Sequence, residues 1–229
     1  NDKKILGVIT AQDIVEVADE EMGEDYARLA GLTAEEDLNE PLLESMKKRI
    51  PWLIVLLVLG LLVSTVVGVF EQVVSQLTLV ICFQSLILDM AGNAGTQSLA
   101  VTIRVLMDEN LAGGQKIRLM FKEMRVGAIN GFLLGMLSFV FIGVYIAVMK
   151  GRGAGFGFAV SACIGFSLMV AMVISSITGT VIPMFFHKIK IDPAVASGPL
   201  ITTINDLVAV VTYYGLTWIL LINVLQLAE

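Results

Sequence analysis

The chain has 229 residues, 56% of them hydrophobic and 16% charged, with a mean hydropathy of +0.84. Together with several uncharged apolar runs of about 20 residues, this excludes a water-soluble globular domain and places the protein in a membrane. Charge is unevenly divided: residues 1–44 carry 13 acids and 3 bases, residues 45–229 carry 8 acids and 12 bases, and the net is −6. An acidic head on a mildly basic body argues against nucleic acid as a partner and in favour of cations.

Residues 4–9 (KILGVI) read as a buried strand, and no leader is expected ahead of them. The opening has the character of mid-chain sequence, so the natural protein is expected to continue upstream. Thr10 and Asp13 have the T-x-x-D spacing of a helix start. From there Ile14, Val15, Val17, Ala18, Met22, Tyr26 and Leu29 recur at helical spacing. The other face carries Glu16, Asp19, Glu20, Glu21, Glu24 and Asp25, and Gly31 stops the helix. Like charges at i,i+4 spacing repel, which a bound divalent ion would relieve. On spacing alone an ordinary solvated acidic face is the better reading. Residues 32–41 read as a linker, and a short helix follows.

Five spans are expected, near residues 51–70, 73–107, 126–149, 156–186 and 193–227, with a basic loop at 108–126 and a Gly-rich turn at 150–153. The second and fifth are too long for one straight crossing. Ten Lys and Arg flank one side (Lys47, Lys48, Arg49, Arg104, Lys116, Arg118, Lys122, Arg125, Lys188 and Lys190), against Lys150 and Arg152 on the other. The positive-inside rule then puts the N-terminus in the cytoplasm and the C-terminus outside. The two cysteines, Cys82 and Cys163, sit in apolar runs and read as packing residues, and His187 reads as an interfacial polar group.

Two stretches carry chemistry. In the second span, Asp89, Asn93, Thr96 and Gln97 share one helical face. Gly92 and Gly95 either let the backbone unwind, freeing carbonyls for a hard cation, or let another helix approach closely. In the fifth, Asp206 lies deep in an apolar segment, with Thr202 and Thr203 one turn before it and Gly198 a turn further back. An ionised carboxylate there costs at least ~2.5–3.5 kcal/mol, so it normally faces a bundle interior or a watery path. A hydrated ion path is favoured over a neutralised, packed Asp. Carboxylate, hydroxyls and carbonyls without thiolate or His clusters suit a hydrated hard cation such as Mg2+. One carboxylate per chain is sparse for a divalent ion, which makes a symmetric dimer attractive.

Three stretches, RIPWL (49–53), MAGNAGTQS (90–98) and DPAVASGPLITTINDL (192–207), resemble the MgtE-type magnesium channel/transporter family. The head (6–31) is similar to that family's CBS-domain end running into its plug helix, so the resemblance covers nearly the whole chain. It implies an all-α integral membrane protein: residues 1–20 as a strand–helix CBS remnant, 21–48 as plug helix and linker, and 49–229 as a five-helix transmembrane domain. It further implies a homodimer in the lipid bilayer of the plasma membrane, with a pore on the dimer axis lined by the second and fifth spans. Asp206 would hold hydrated Mg2+ with the backbone carbonyl of Thr202, and Asn93, Gly95, Thr96 and Gly198 would line the path. Asp13, Glu16, Glu21, Glu24, Asp25 and Asp192 would form a cytosolic Mg2+ sensor that holds the pore closed. The chain departs from some members at Thr96 and Gly198, where they carry Asn. Competing readings are an alternating-access divalent cation carrier, an intramembrane aspartyl protease using Asp89 and Asp206, and a sensor without transport.

Overall fold

A computed structural model describes residues 7–29, 32, 39–106, 113–191 and 198–226. Seven α-helices follow one another: α1 (Ala11–Leu29), α2 (Leu42–Val69), α3 (Glu71–Gln76), α4 (Ile81–Leu106), α5 (Gly113–Met149), α6 (Ala154–Lys188) and α7 (Gly198–Leu216). A 3-10 turn at Thr78–Val80 precedes α4, and α7 continues as a π-helix over Thr217–Val224. Five of these segments are long and apolar enough to cross a membrane. Their outer faces show why: Leu53, Leu57 and Leu61 of α2 and Phe132, Phe141 and Val148 of α5 are all more than half exposed. So large an apolar surface belongs against lipid or another apolar chain, not water. Helices are required because hydrocarbon offers backbone groups no outside partner. The chain is a multi-pass, all-α membrane protein.

Among the described residues no strand forms. Of the strand expected at 4–9, residues 7–9 are exposed coil and residues 4–6 lie outside the described residues. A lone strand has no ladder to join. The helix after it starts as its sequence dictates: Thr10 N and Oγ1 donate to Asp13 Oδ2 at 2.6 and 2.8 Å, and Asp13 N donates to Thr10 Oγ1 at 3.3 Å.

The first, third and fourth spans run past their expected edges, while over the described residues the second and fifth fall inside theirs. Pro51 lies inside α2 rather than starting it; lacking an N–H, it leaves only the Lys47 carbonyl without a helical donor, which one helix can bear near the interface. Residues 113–125, expected in a loop, form the first turns of α5, because Leu119 and Glu123 extend the stripe of Gly127, Gly131 and Gly135 that packs inward at every fourth residue. The second long segment does break, at Leu77 (φ −145°, ψ 74°), whose side chain is fully buried. At this break Tyr213 OH donates to the Val80 carbonyl (2.9 Å) and Tyr214 OH to Gln84 Oε1 (2.5 Å), while Phe70 stacks on Tyr214 at 5.6 Å. The Gly-rich turn before α6 is as expected, with Gly151 and Gly153 at positive φ.

The bundle is built around α6, which packs against α4, α5 and α7, whereas α2 buries no residue fully. Lipid is as apolar as leucine, so close approach of small residues replaces the hydrophobic drive for helix pairing. At the α5–α6 crossing a Cβ on Gly135 would stand 2.7 Å from the Gly165 carbonyl oxygen, and one on Gly165 2.6 Å from that of Gly135. Backbone meets backbone there, and no side chain can yield. Gly135→Val is therefore expected to cost about 1–3 kcal/mol, read as a lowered unfolding midpoint in detergent. Gly60→Ala, on the open face of α2 with nothing within 4 Å, is expected to leave that midpoint unlowered; equal losses would refute the account.

Candidate cation path between α4 and α7

Helix α4 has two faces. Ile87, Ala91, Ala94, Gly95, Ser98 and Thr102 are buried against the bundle, while Asp89, Asn93, Thr96 and Gln97 are exposed together, as their spacing predicts. Asn93 Nδ2 donates to the Asp89 carbonyl (2.9 Å) and to Asp89 Oδ1 (3.1 Å), and Thr96 Oγ1 donates to the Gly92 carbonyl (2.9 Å). The helix is continuous through both glycines, so of the two roles open to Gly95 the structure has close approach, not unwinding.

Gly95 is where three helices meet. A Cβ on it would overlap the Asn205 amide of α7, and a Cβ on Gly179 of α6 would overlap the Gly95 carbonyl oxygen. Gly95, expected to line the path, thus faces inward; Asn93 and Thr96 flank it on the open face. On α7, Ile201, Asn205, Ala209 and Tyr213 are fully buried, Thr202 is exposed and Asp206 is half-buried. The residue seated on Gly95 is therefore the immediate neighbour of Asp206, which brings the carboxylate to the level of α4's polar face. Asp89 lies six residues from that level, ~9 Å along the helix. Gly198 begins α7.

The expected sensor residues are not gathered to the same degree. Asp13, Glu16, Glu21 and Glu24 are exposed along α1, and Asp13 is held by Thr10. The side chain of Asp25, and Asp192 entirely, lie outside the described residues. Among the described residues no three His, Cys, Asp or Glu side chains converge as one metal site. The Thr10 hydrogen bonds, chiefly that from its backbone N–H, hold the Asp13 carboxyl below the ordinary carboxylate value.

Two polar residues are missed by pattern reading. Asn205 is fully buried, and neither amide atom has a hydrogen-bond partner. Glu123 is buried near the start of α5, where Ser98 Oγ of α4 donates to its Oε2 at 3.1 Å and Lys122 Nζ stands 3.8 Å from Oε1. The signal for Glu123 was the four-residue ladder into Gly127; for Asn205 it was the i+4 step to Ala209.

Residues 84–216 match the family model MgtE, described as a divalent cation transporter. The chain is 38% identical over 215 residues to "Magnesium transporter MgtE" of Enterococcus faecalis, covering 94% of this chain and 45% of that protein. It is 35% identical over 212 residues to the protein of the same name from Bacillus subtilis, covering 93% and 45%. With that of Thermus thermophilus it shares 26% over 220 residues, covering 95% and 47%. The chain thus spans a little under half the length of these relatives.

Two outcomes follow from the geometry. Gly95→Ala is expected to lower the unfolding midpoint, and Asn205→Ala in the same chain to restore part of the loss, since it vacates the space the new Cβ needs. The coupling should be about 0.5–3 kcal/mol, and strictly additive losses would contradict the contact. For Asp13 the depressed pKa stabilises the start of α1 at pH above the ordinary carboxylate value. That contribution is lost as pH falls through the depressed value. Carboxyl NMR titration should show Thr10→Ala, which removes the hydroxyl bond and keeps the backbone N–H, moving Asp13 part of the way upward; an unmoved value would contradict the hydroxyl's share of the cap.

Proposed function

The chain belongs to the MgtE family of divalent cation transporters, and from that premise we propose that it forms the membrane path for Mg2+ in a longer, homodimeric protein. This is a family of transporters, not of enzymes. The observation that carries the reading is Asp206: a half-buried acid in the middle of an apolar helix, next in sequence to the Asn205 whose amide sits on Gly95 of α4. An acid kept at that depth needs a purpose that offsets its cost, and a passing cation supplies one.

Mg2+ gives up its waters reluctantly and is usually bound through one or two carboxylates with several waters retained. Two copies of Asp206 facing each other across a two-fold axis would supply those carboxylates, and the ion's waters would donate to them. The carbonyl of Thr202, one turn earlier, adds an acceptor. Asn93 and Thr96 line the wall of the path, with Gly95 behind them as the packing point and Gly198 at one mouth. A hydrated ion held only through its shell stays weakly enough bound to leave again, which conduction requires.

The exposed acids Asp13, Glu16, Glu21 and Glu24 of α1, with Asp25 and Asp192, are proposed to sense cytosolic Mg2+ as a group completed by the rest of the protein. Bound ions would screen their repulsion and hold the path closed. The distribution of Lys and Arg supports a plasma-membrane protein with its N-terminus in the cytoplasm.

The test is Mg2+ uptake into liposomes carrying the natural full-length protein. Asp206→Ala and Asp206→Asn should each cut uptake by about tenfold or more, the factor that ~1.4 kcal/mol of lost ion stabilisation represents. Uptake at the wild-type rate by folded, dimeric variants would reduce Asp206 to a packing residue.

A further inference from the structure

Helix α5 has 37 residues and is ~55 Å long, nearly twice the ~30 Å of hydrocarbon. Its charge-free stretch begins at Val126, so the turns before it project from the membrane on the side where most Lys and Arg lie. These turns carry Arg118, Lys122 and Arg125, whose spacing of four and three residues puts them on one face. With Phe121, Val126 and Ile129 they line a cleft of about 650 Å³ that also reaches Val105 of α4. All three bases are exposed, and the three apolar residues are 46%, 41% and 61% exposed. The one acid beside the bases among the described residues is Glu123, 3.8 Å from Lys122 Nζ, and it is buried and already accepts from Ser98. From 104 to 125 the sequence holds five bases and three acids, counting Asp108 and Glu109 of the connecting segment, so the surroundings stay positive.

We propose that this cleft binds the headgroup of an anionic phospholipid. The basic wall takes the phosphate, with Arg118 and Arg125 able to donate in pairs. The apolar wall takes the first part of the acyl chains. From Arg118 to Arg125 is ~10 Å along the axis, enough to span the ~5–8 Å headgroup layer on one side of a bilayer of ~40–45 Å. Val126 and Ile129 follow the bases toward the hydrocarbon, in the order a lipid presents its parts, and Phe121 stands among the bases. A free phosphate would leave the apolar wall wet, and a zwitterionic headgroup brings its own cation toward the bases. Because the cleft spans the ends of α4 and α5, the lipid braces their junction. The site is independent of Asp206 and of whether the path conducts.

The experiment measures the unfolding midpoint of the purified protein in detergent, titrated with dioleoylphosphatidylglycerol, with dioleoylphosphatidylcholine, or with inorganic phosphate. Phosphatidylglycerol is expected to raise the midpoint by about 2–4 °C, with little response to the other two. Arg118→Gln/Lys122→Gln/Arg125→Gln should abolish the rise, while Lys188→Gln/Lys190→Gln, at the end of α6, should retain it. In the wild type the rise should shrink at high ionic strength, because the bases are exposed to screening; that measurement needs no variant. The proposal is overturned if phosphatidylcholine or phosphate alone reproduces the rise, if it survives high salt undiminished, or if the triple variant responds like the wild type.

Discussion

The contact on which the arrangement depends is the meeting of Gly95, Gly179 and Asn205. In lipid there is no hydrophobic force pressing helices together, so van der Waals contact between backbones and a few polar bonds must hold the bundle. At this crossing α4 and α6 touch through a glycine carbonyl, and α7 lays an amide on the same glycine. Any side chain at position 95 would have to displace the Asn205 amide. Since Asp206 follows Asn205 directly, the crossing also sets how far the carboxylate stands from the polar face of α4. In the proposed path, packing and the ion site thus meet at the neighbours Asn205 and Asp206.

The polar accounting of the spans follows from the same solvent. Five hydroxyls of the spans bond back to their own helix: Ser64 to the Gly60 carbonyl, Thr65 to Leu61, Thr102 to Ser98, Thr178 to Ile174 and Thr180 to Ser176. Such bonds satisfy the side chain without fixing a partner helix. Between helices, Ser98 of α4 bonds to Glu123 of α5, and the two tyrosines of α7 bond to the α4 entry. The amide of Asn205 is unpaired, as are the buried hydroxyls of Ser167, Ser175 and Thr217. A buried amide without partners costs about 1–3 kcal/mol, and it is retained where the α4–α7 distance is decided.

The number of spans and the polar face of α4 were legible because apolar length and a four-residue period are local properties of the sequence. The place of Asp206 within an apolar helix was equally plain, and the resemblance to the MgtE-type family is matched by the family model over residues 84–216. What pattern reading could not give depended on partners distant in the chain. Gly95 was compatible with unwinding or with close approach until Asn205 was seen against it. Residues 113–125 looked like a basic loop because their charges face outward, while Leu119 and Glu123 face in. Pro51 looked like a helix start because proline usually is one, yet α2 continues through it. The break at Leu77 left no mark in composition; tyrosines 130 or more residues away hold it.

The central claim is that two copies of Asp206 face one another across the path. Cysteine cross-linking in membranes tests it most directly, using the full-length protein with Cys82 and Cys163 replaced by Ala and one cysteine introduced by Asp206→Cys. A short bifunctional thiol reagent should give a covalent dimer from this protein and none from a Leu57→Cys protein, whose cysteine would lie on the open outer face of α2. Absence of the dimer with Asp206→Cys, in protein that remains folded and associated, would contradict the claim.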